Sequence, residues 1–159
     1  MMEEEWRSTN DTSAMLDRLR GIASDRKLRL LACAICRAVW TKANYERSRQ
    51  AVQVAELYAD GLAEEHELNR AWSLASAAAH NHFQLITRGK MVHRLRRTDE
   101  EIRTSMFAEA AHVHTPFLIG RLQKFRQFGD LIEYGPELLR DIFGNPFRPV
   151  SFDPRWRTS

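Results

Sequence analysis

At 159 residues, 43% hydrophobic and 28% charged, the chain is long enough to bury one core without disulfides or metals and too apolar for a disordered tail. A formal charge of +3 and a pI near 9.1 permit acidic or nucleic-acid partners without demanding them. The acidic start "MMEEEW" is the reverse of a secretory signal, no run approaches the ~20 apolar residues of a membrane span, and two cysteines suit a reducing compartment, so the expected location is the cytoplasm.

Almost every periodic segment has the helical period. Asp11 or Thr12 starts a short helix through Met15, Leu16 and Leu19, closed by Gly21 in a left-handed conformation. Ser24 caps a second helix over about 25–41, with Asp25 placed against the dipole. Leu28, Leu31, Ala32, Ile35 and Val39 form its stripe with Cys36 and Trp40 beside it, a face wide enough to predict the central helix of a bundle. A third helix over about 45–59 turns Val52, Ala55 and Tyr58 inward and stops at Asp60-Gly61. A fourth, from near 63 to Gly89, carries Leu68, Ala71, Trp72, Ala75, Ala78, His82 and Leu85 at spacings of three or four.

Thr98 and Glu101 make a capping box for a fifth helix to about 114, with Ile102, Met106, Ala110 and Val113 inward. Pro116 opens a sixth, where Phe117, Leu118, Leu122 and Phe125 alternate with Arg121, Lys124 and Arg126. A last short helix, about 136–143, begins at a proline and ends at Gly144. The pattern predicts an all-α, single-domain bundle of about five to seven helices over 1–144, followed by a non-helical strap over 145–159.

That strap, within "FGNPFRPVSFDPRW" at 143–156, holds Pro146, Pro149 and Pro154, each of which fixes its own φ and pushes its predecessor out of the helical basin. A pre-stiffened segment loses less entropy on docking. Phe147, Phe152 and Trp156 are expected to plug grooves of the bundle, with Phe147 largely buried and Arg148 near a carboxylate, Asp141 first among the candidates. The competing use of the same residues, Phe147, Arg148, Phe152 and Trp156, is presentation to a partner protein.

The words "MLDRLRGIASDRKLRLLACAICRAVW" (15–40), "ERSRQAVQVAELYADGLA" (46–63) and "LLRDIFGNPFRPVSFDPRW" (138–156) resemble an uncharacterised family of proteins expanded in planctomycete-type bacteria. The resemblance covers roughly 1–65 and 138–156; between them only a helical, alanine-bearing spacer is similar. Members of that family continue past the tryptophan matched by Trp156 into a further helical segment, which would make this chain a short member or part of a longer one. The resemblance implies no enzymatic activity, cofactor or substrate, and so transfers no functional residue.

Side chains that could carry chemistry have simpler explanations. Cys33 and Cys36 share a helix face and could reach one metal, but a structural zinc needs four ligands and no second pair stands at a usual spacing; core packing is the expectation. His80/His82 and His112/His114 lie ~200° apart around a regular helix, so neither pair chelates one ion. A site would need His82, His112 and Glu109 from adjacent helices, which nothing in the spacing requires. No nucleophile elbow or phosphate-cradling glycine loop occurs, and the dipole accounts for Glu64, Glu65 and Glu67 at a helix start. The expectation is a protein that is not an enzyme, with no catalytic residue, cofactor or metal.

The basic clusters carry the alternative. Arg88, Lys90, His93, Arg94, Arg96 and Arg97, with Arg121 and Lys124, would form a face for RNA or DNA backbone, and Arg26, Lys27 and Arg29 make a further cluster. Asp99 to Glu101 and the acidic start offset much of that charge. The leading expectation is therefore a helical protein-interaction or regulatory module, a subunit or adaptor whose partner is another protein; the alternative is a small nucleic-acid-binding subunit.

Overall fold

The computed structural model describes residues 1–38, 46–87 (backbone only from 78), 119–120, 122–123 and 134–148. Every regular element among them is helical: α1 (Glu3–Ser8), α2 (Thr12–Arg18), α3 (Asp25–Ala38), α4 (Glu46–Ala59), α5 (Glu65–Thr87) and α6 (Gly135–Phe143). No strand occurs among the described residues, and the chain is all-α.

Helix α3 is the centre. Leu28, Leu31, Ala32, Ile35 and Cys36 are fully buried, with Cys33 at 1% exposure, and α3 packs on both α4 and α6. Its apolar stripe meets Ala51, Val52 and Ala55 of α4 in one continuous core that also takes in Leu68 and Ala75 of α5 and Leu139 of α6. Ile119 and Leu122, helical and three apart, add one further edge to that core. Leu122 belongs to the stripe expected after Pro116, whereas Ile119 does not; Val39, Trp40 and the helix expected over 98–114 lie outside the described residues.

Local signals set the helix ends. The Asp11 carboxylate accepts from the N–H groups of Ser13 and Ala14 at 3.0 and 3.1 Å, satisfying two donors that the first turn of α2 leaves open. At the end of α4, Gly61 has φ +73°, its N–H reaches Tyr58 and the N–H of Leu62 reaches the Leu57 carbonyl at 2.8 Å, which closes the helix with paired carbonyls. Helix α5 starts at Glu65, two residues later than its apolar rhythm suggests; Glu67 bends back to accept from the Glu64 N–H at 2.8 Å and so marks the first turn.

Two ion pairs tie α3 to the α4 segment. Arg37 grips Glu56 through both carboxylate oxygens at 2.6 Å, and Arg26 holds Asp60 at 2.6 Å. Both pairs are largely solvated, so they steer the packing more than they stabilise it.

Helix α1 has no counterpart in the periodicity. Six residues are too few to show a stripe or to form a stable helix alone. What holds it is Trp6, 2% exposed, with Glu3, Glu4 and Glu5 favourably placed at the positive end of the dipole.

Candidate functional site

The end of α6 and the start of the strap form the most elaborated surface among the described residues. Gly144 stops the helix at φ +62°, ψ −130°, a combination that only glycine enters at low cost, and its N–H returns to the Arg140 carbonyl at 2.8 Å. The chain then makes a tight turn. Asn145 Oδ1 accepts from the Phe147 N–H at 2.9 Å, and the Arg148 N–H donates to the Asn145 carbonyl at 3.2 Å.

This turn is held from the other end of the chain. The Trp6 indole N–H donates to the Gly144 carbonyl at 2.9 Å, and the Arg140 guanidinium donates to the Trp6 carbonyl at 3.2 Å and to the Thr9 carbonyl. Glu3 accepts from Asn145 Nδ2 at 2.8 Å and from Arg148 Nε at 3.1 Å while also holding Arg7 at 2.6 Å. Arg148 thus finds its carboxylate on Glu3 and not on Asp141, a correction to the sequence expectation, because α1 folds over the turn. Phe147 is half-buried, less than expected; it packs against the core with the Arg18 guanidinium 4.6 Å above its ring.

Beside the turn runs a groove of about 820 Å³, mostly apolar and open to solvent. Leu19 and Ile22 line it from the α2–α3 turn, Lys27 from the first turn of α3, and Ile142, Phe143 and Arg148 from the end of α6 and the strap. Ile22, 52% exposed, adds an apolar side chain to the groove's border. The Lys27 ammonium lies 5.8 Å from the centre of the Phe143 ring.

Of the residues singled out from sequence, Phe147 and Arg148 belong to this surface. Phe152 and Trp156 lie outside the described residues, as do Arg88, Lys90, His93, Arg94, Arg96, Arg97, Arg121 and Lys124. The cluster Arg26, Lys27 and Arg29 is not a shared phosphate face: Arg26 is closed on Asp60, and Arg29 is only 4% exposed, its guanidinium 4.9 Å from the Tyr58 ring centre. Glu3, Trp6 and Ile22 escaped the sequence reading. None of the three carries a periodic signal: α1 completes too few turns to show one, and Ile22 stands in the turn between helices.

The cysteines are core residues in placement and in acidity. Burial pushes the Cys33 thiol up to about 12, with Glu56 adding to the effect, and pushes Cys36 well above its ordinary value. Cys33 Sγ contacts the Val52 carbonyl at 3.9 Å. Among the described residues no three His, Cys, Asp or Glu side chains gather as metal ligands; His82, Glu109 and His112 are not among the side chains described. No described helix is long and apolar enough to cross a membrane. No protein-family model matches the chain, and neither does any curated protein or solved structure.

Proposed function

We propose that the chain is a non-enzymatic helical interaction module of the cytoplasm, a subunit or adaptor of a larger assembly, which seats an apolar segment of a partner protein in the groove beside the strap base. The observation that carries this reading is the groove itself: an open, mostly apolar trough of about 820 Å³ with Ile22 half exposed on its border. Small-molecule sites enclose most of their ligand, whereas an open trough suits a side chain or a helix edge from another protein. The thiols, raised by burial, offer no nucleophile at neutral pH. Nucleic-acid binding through 88–97, Arg121 and Lys124 is the competing reading; of the further basic cluster, Arg26 is closed on Asp60 and Arg29 is buried, so that cluster does not add to it.

The test is cross-linking of the tagged full chain in its own cell, wild type against Ile22→Asp, alongside titration of a labelled random-sequence oligonucleotide. Ile22 is exposed enough that the variant should fold and melt normally. The expected result is one or more proteins captured by the wild type and lost from Ile22→Asp, with oligonucleotide binding weak and lost between about 50 and about 200 mM salt. Identical captures by both chains, or tight oligonucleotide binding at the higher salt, would overturn the reading.

A further inference from the structure

Besides the Trp6 and Arg140 bonds, the two ends of the described chain meet at the Glu3 carboxylate. Glu3 Oε1 takes Asn145 Nδ2 at 2.8 Å and Oε2 takes Arg148 Nε at 3.1 Å. Asn145 in turn uses its side-chain oxygen to fold the strap's first turn onto the Phe147 N–H. The amide of Asn145 is thereby oriented: its NH₂ must face Glu3 for its oxygen to face Phe147. Glu3 acts on the strap through Asn145 as well as directly on Arg148.

We propose that α1 is a releasable clasp on the turn at 145–148, with Glu3 as the catch and Trp6 as its buried anchor, so that seating α1 holds that turn against the end of α6 and unseating it frees the turn. Release is local for three physical reasons. A six-residue helix does not hold itself together. The ion pairs at Glu3 involve partners that are 63% (Arg7) and 72% (Arg148) exposed, so water exchanges for them readily. Apart from Trp6, every buried residue of the central core belongs to other elements. Segments with few buried apolar contacts are among those that open below the global unfolding energy. Because Asn145, Pro146 and Arg148 also line the groove, the clasp shapes that wall too.

Amide hydrogen exchange on the full chain tests this without any partner, so its outcome is separate from that of the groove. In Glu3→Gln the amides of Phe147 and Arg148 should exchange about tenfold faster or more, while those of Leu31 and Cys33 in α3 keep the wild-type rate. Asn145→Ala should reproduce the effect, and Arg7→Ala, which removes the one Glu3 partner outside the strap, should produce less of it. In the wild type, the amides of Trp6, Thr9, Phe147 and Arg148 should share one opening energy below that of α3. The proposal is overturned if Glu3→Gln leaves Phe147 and Arg148 unchanged, if α3 accelerates in step with them, or if the α1 and strap amides of the wild type open at different energies.

Discussion

Trp6→Ala would delete the only large side chain that α1 places in the core, where Trp6 is 2% exposed. Truncating a buried tryptophan loses its transfer energy and leaves a void, about 3–5 kcal/mol together. The indole bond to the Gly144 carbonyl adds little beyond ~0.5–1.5 kcal/mol, because Gly144 is exposed and water can replace the donor. Trp6→Phe keeps most of the ring but loses that bond and some area, and should cost about 1–3 kcal/mol. Urea unfolding followed by far-UV circular dichroism measures both, read at constant slope. For a domain of this size the alanine variant should melt about 6–20 °C lower. An alanine variant within about 0.5 kcal/mol of wild type would show that α1 is not seated in solution. A phenylalanine variant as damaged as the alanine one would show that the hydrogen bond, not the burial, holds the helix.

Other outcomes follow from single features. A Cβ at Gly144 would meet no atom of the described residues within 4 Å, so the cost of Gly144→Ala, about 1–3 kcal/mol, comes from its φ of +62°; Gly120→Ala, helical and likewise without a near neighbour among the described residues, should instead gain ~0.5–1 kcal/mol in the same urea titration. For Glu3, desolvation pushes the pKa up, but hydrogen bonds from Asn145 and Arg148 and the charges of Arg148 and Arg7 outweigh it; Asp17 is lowered chiefly by hydrogen bonds from Arg20 and Gln123. A depressed carboxylate stabilises above its unfolded pKa and loses that contribution as pH falls through the folded one, so the melting midpoint should drop as pH goes below about 4.5, and Glu3→Gln should flatten the slope. An unchanged slope would remove Glu3 from the account. With its thiol held at about 12, Cys33 should be labelled by an aromatic disulfide at neutral pH only as fast as the protein opens; rapid labelling of the native chain would contradict its place in α3.

What could be read from the sequence was whatever is written locally. Asp11 as a cap, Gly61 and Gly144 as stops and the stripe of α3 each depend on residues within a turn or two, and the structure places them accordingly. Helix α1 could not be read that way, since six residues complete too few turns to show a period and its order derives from Trp6 docking on distant parts of the chain. The same holds for Arg148. Asp141 was the candidate because Gly144 lets the chain turn back towards it, but the pairing is made with Glu3, 145 positions away, and no local pattern encodes a contact across such a loop. The groove is harder still. Its lining comes from the α2–α3 turn, α3, α6 and the strap, so it exists only once those elements are packed. Arg29 shows the opposite failure: counted as part of a basic cluster, it points inward against Tyr58, because helical position rather than charge decides which face a residue occupies.

The bond from Trp6 to Gly144 spans 138 positions, and synthesis must therefore run on the order of ten seconds after Trp6 is made before its acceptor exists. During that interval the α2–α4 region has its own capped helices and can form its core, while the acidic turn bearing Trp6 waits without a seat. Closing so long a loop is slow compared with local helix formation. In refolding, the change in tryptophan environment at position 6 should therefore trail the gain of helical signal.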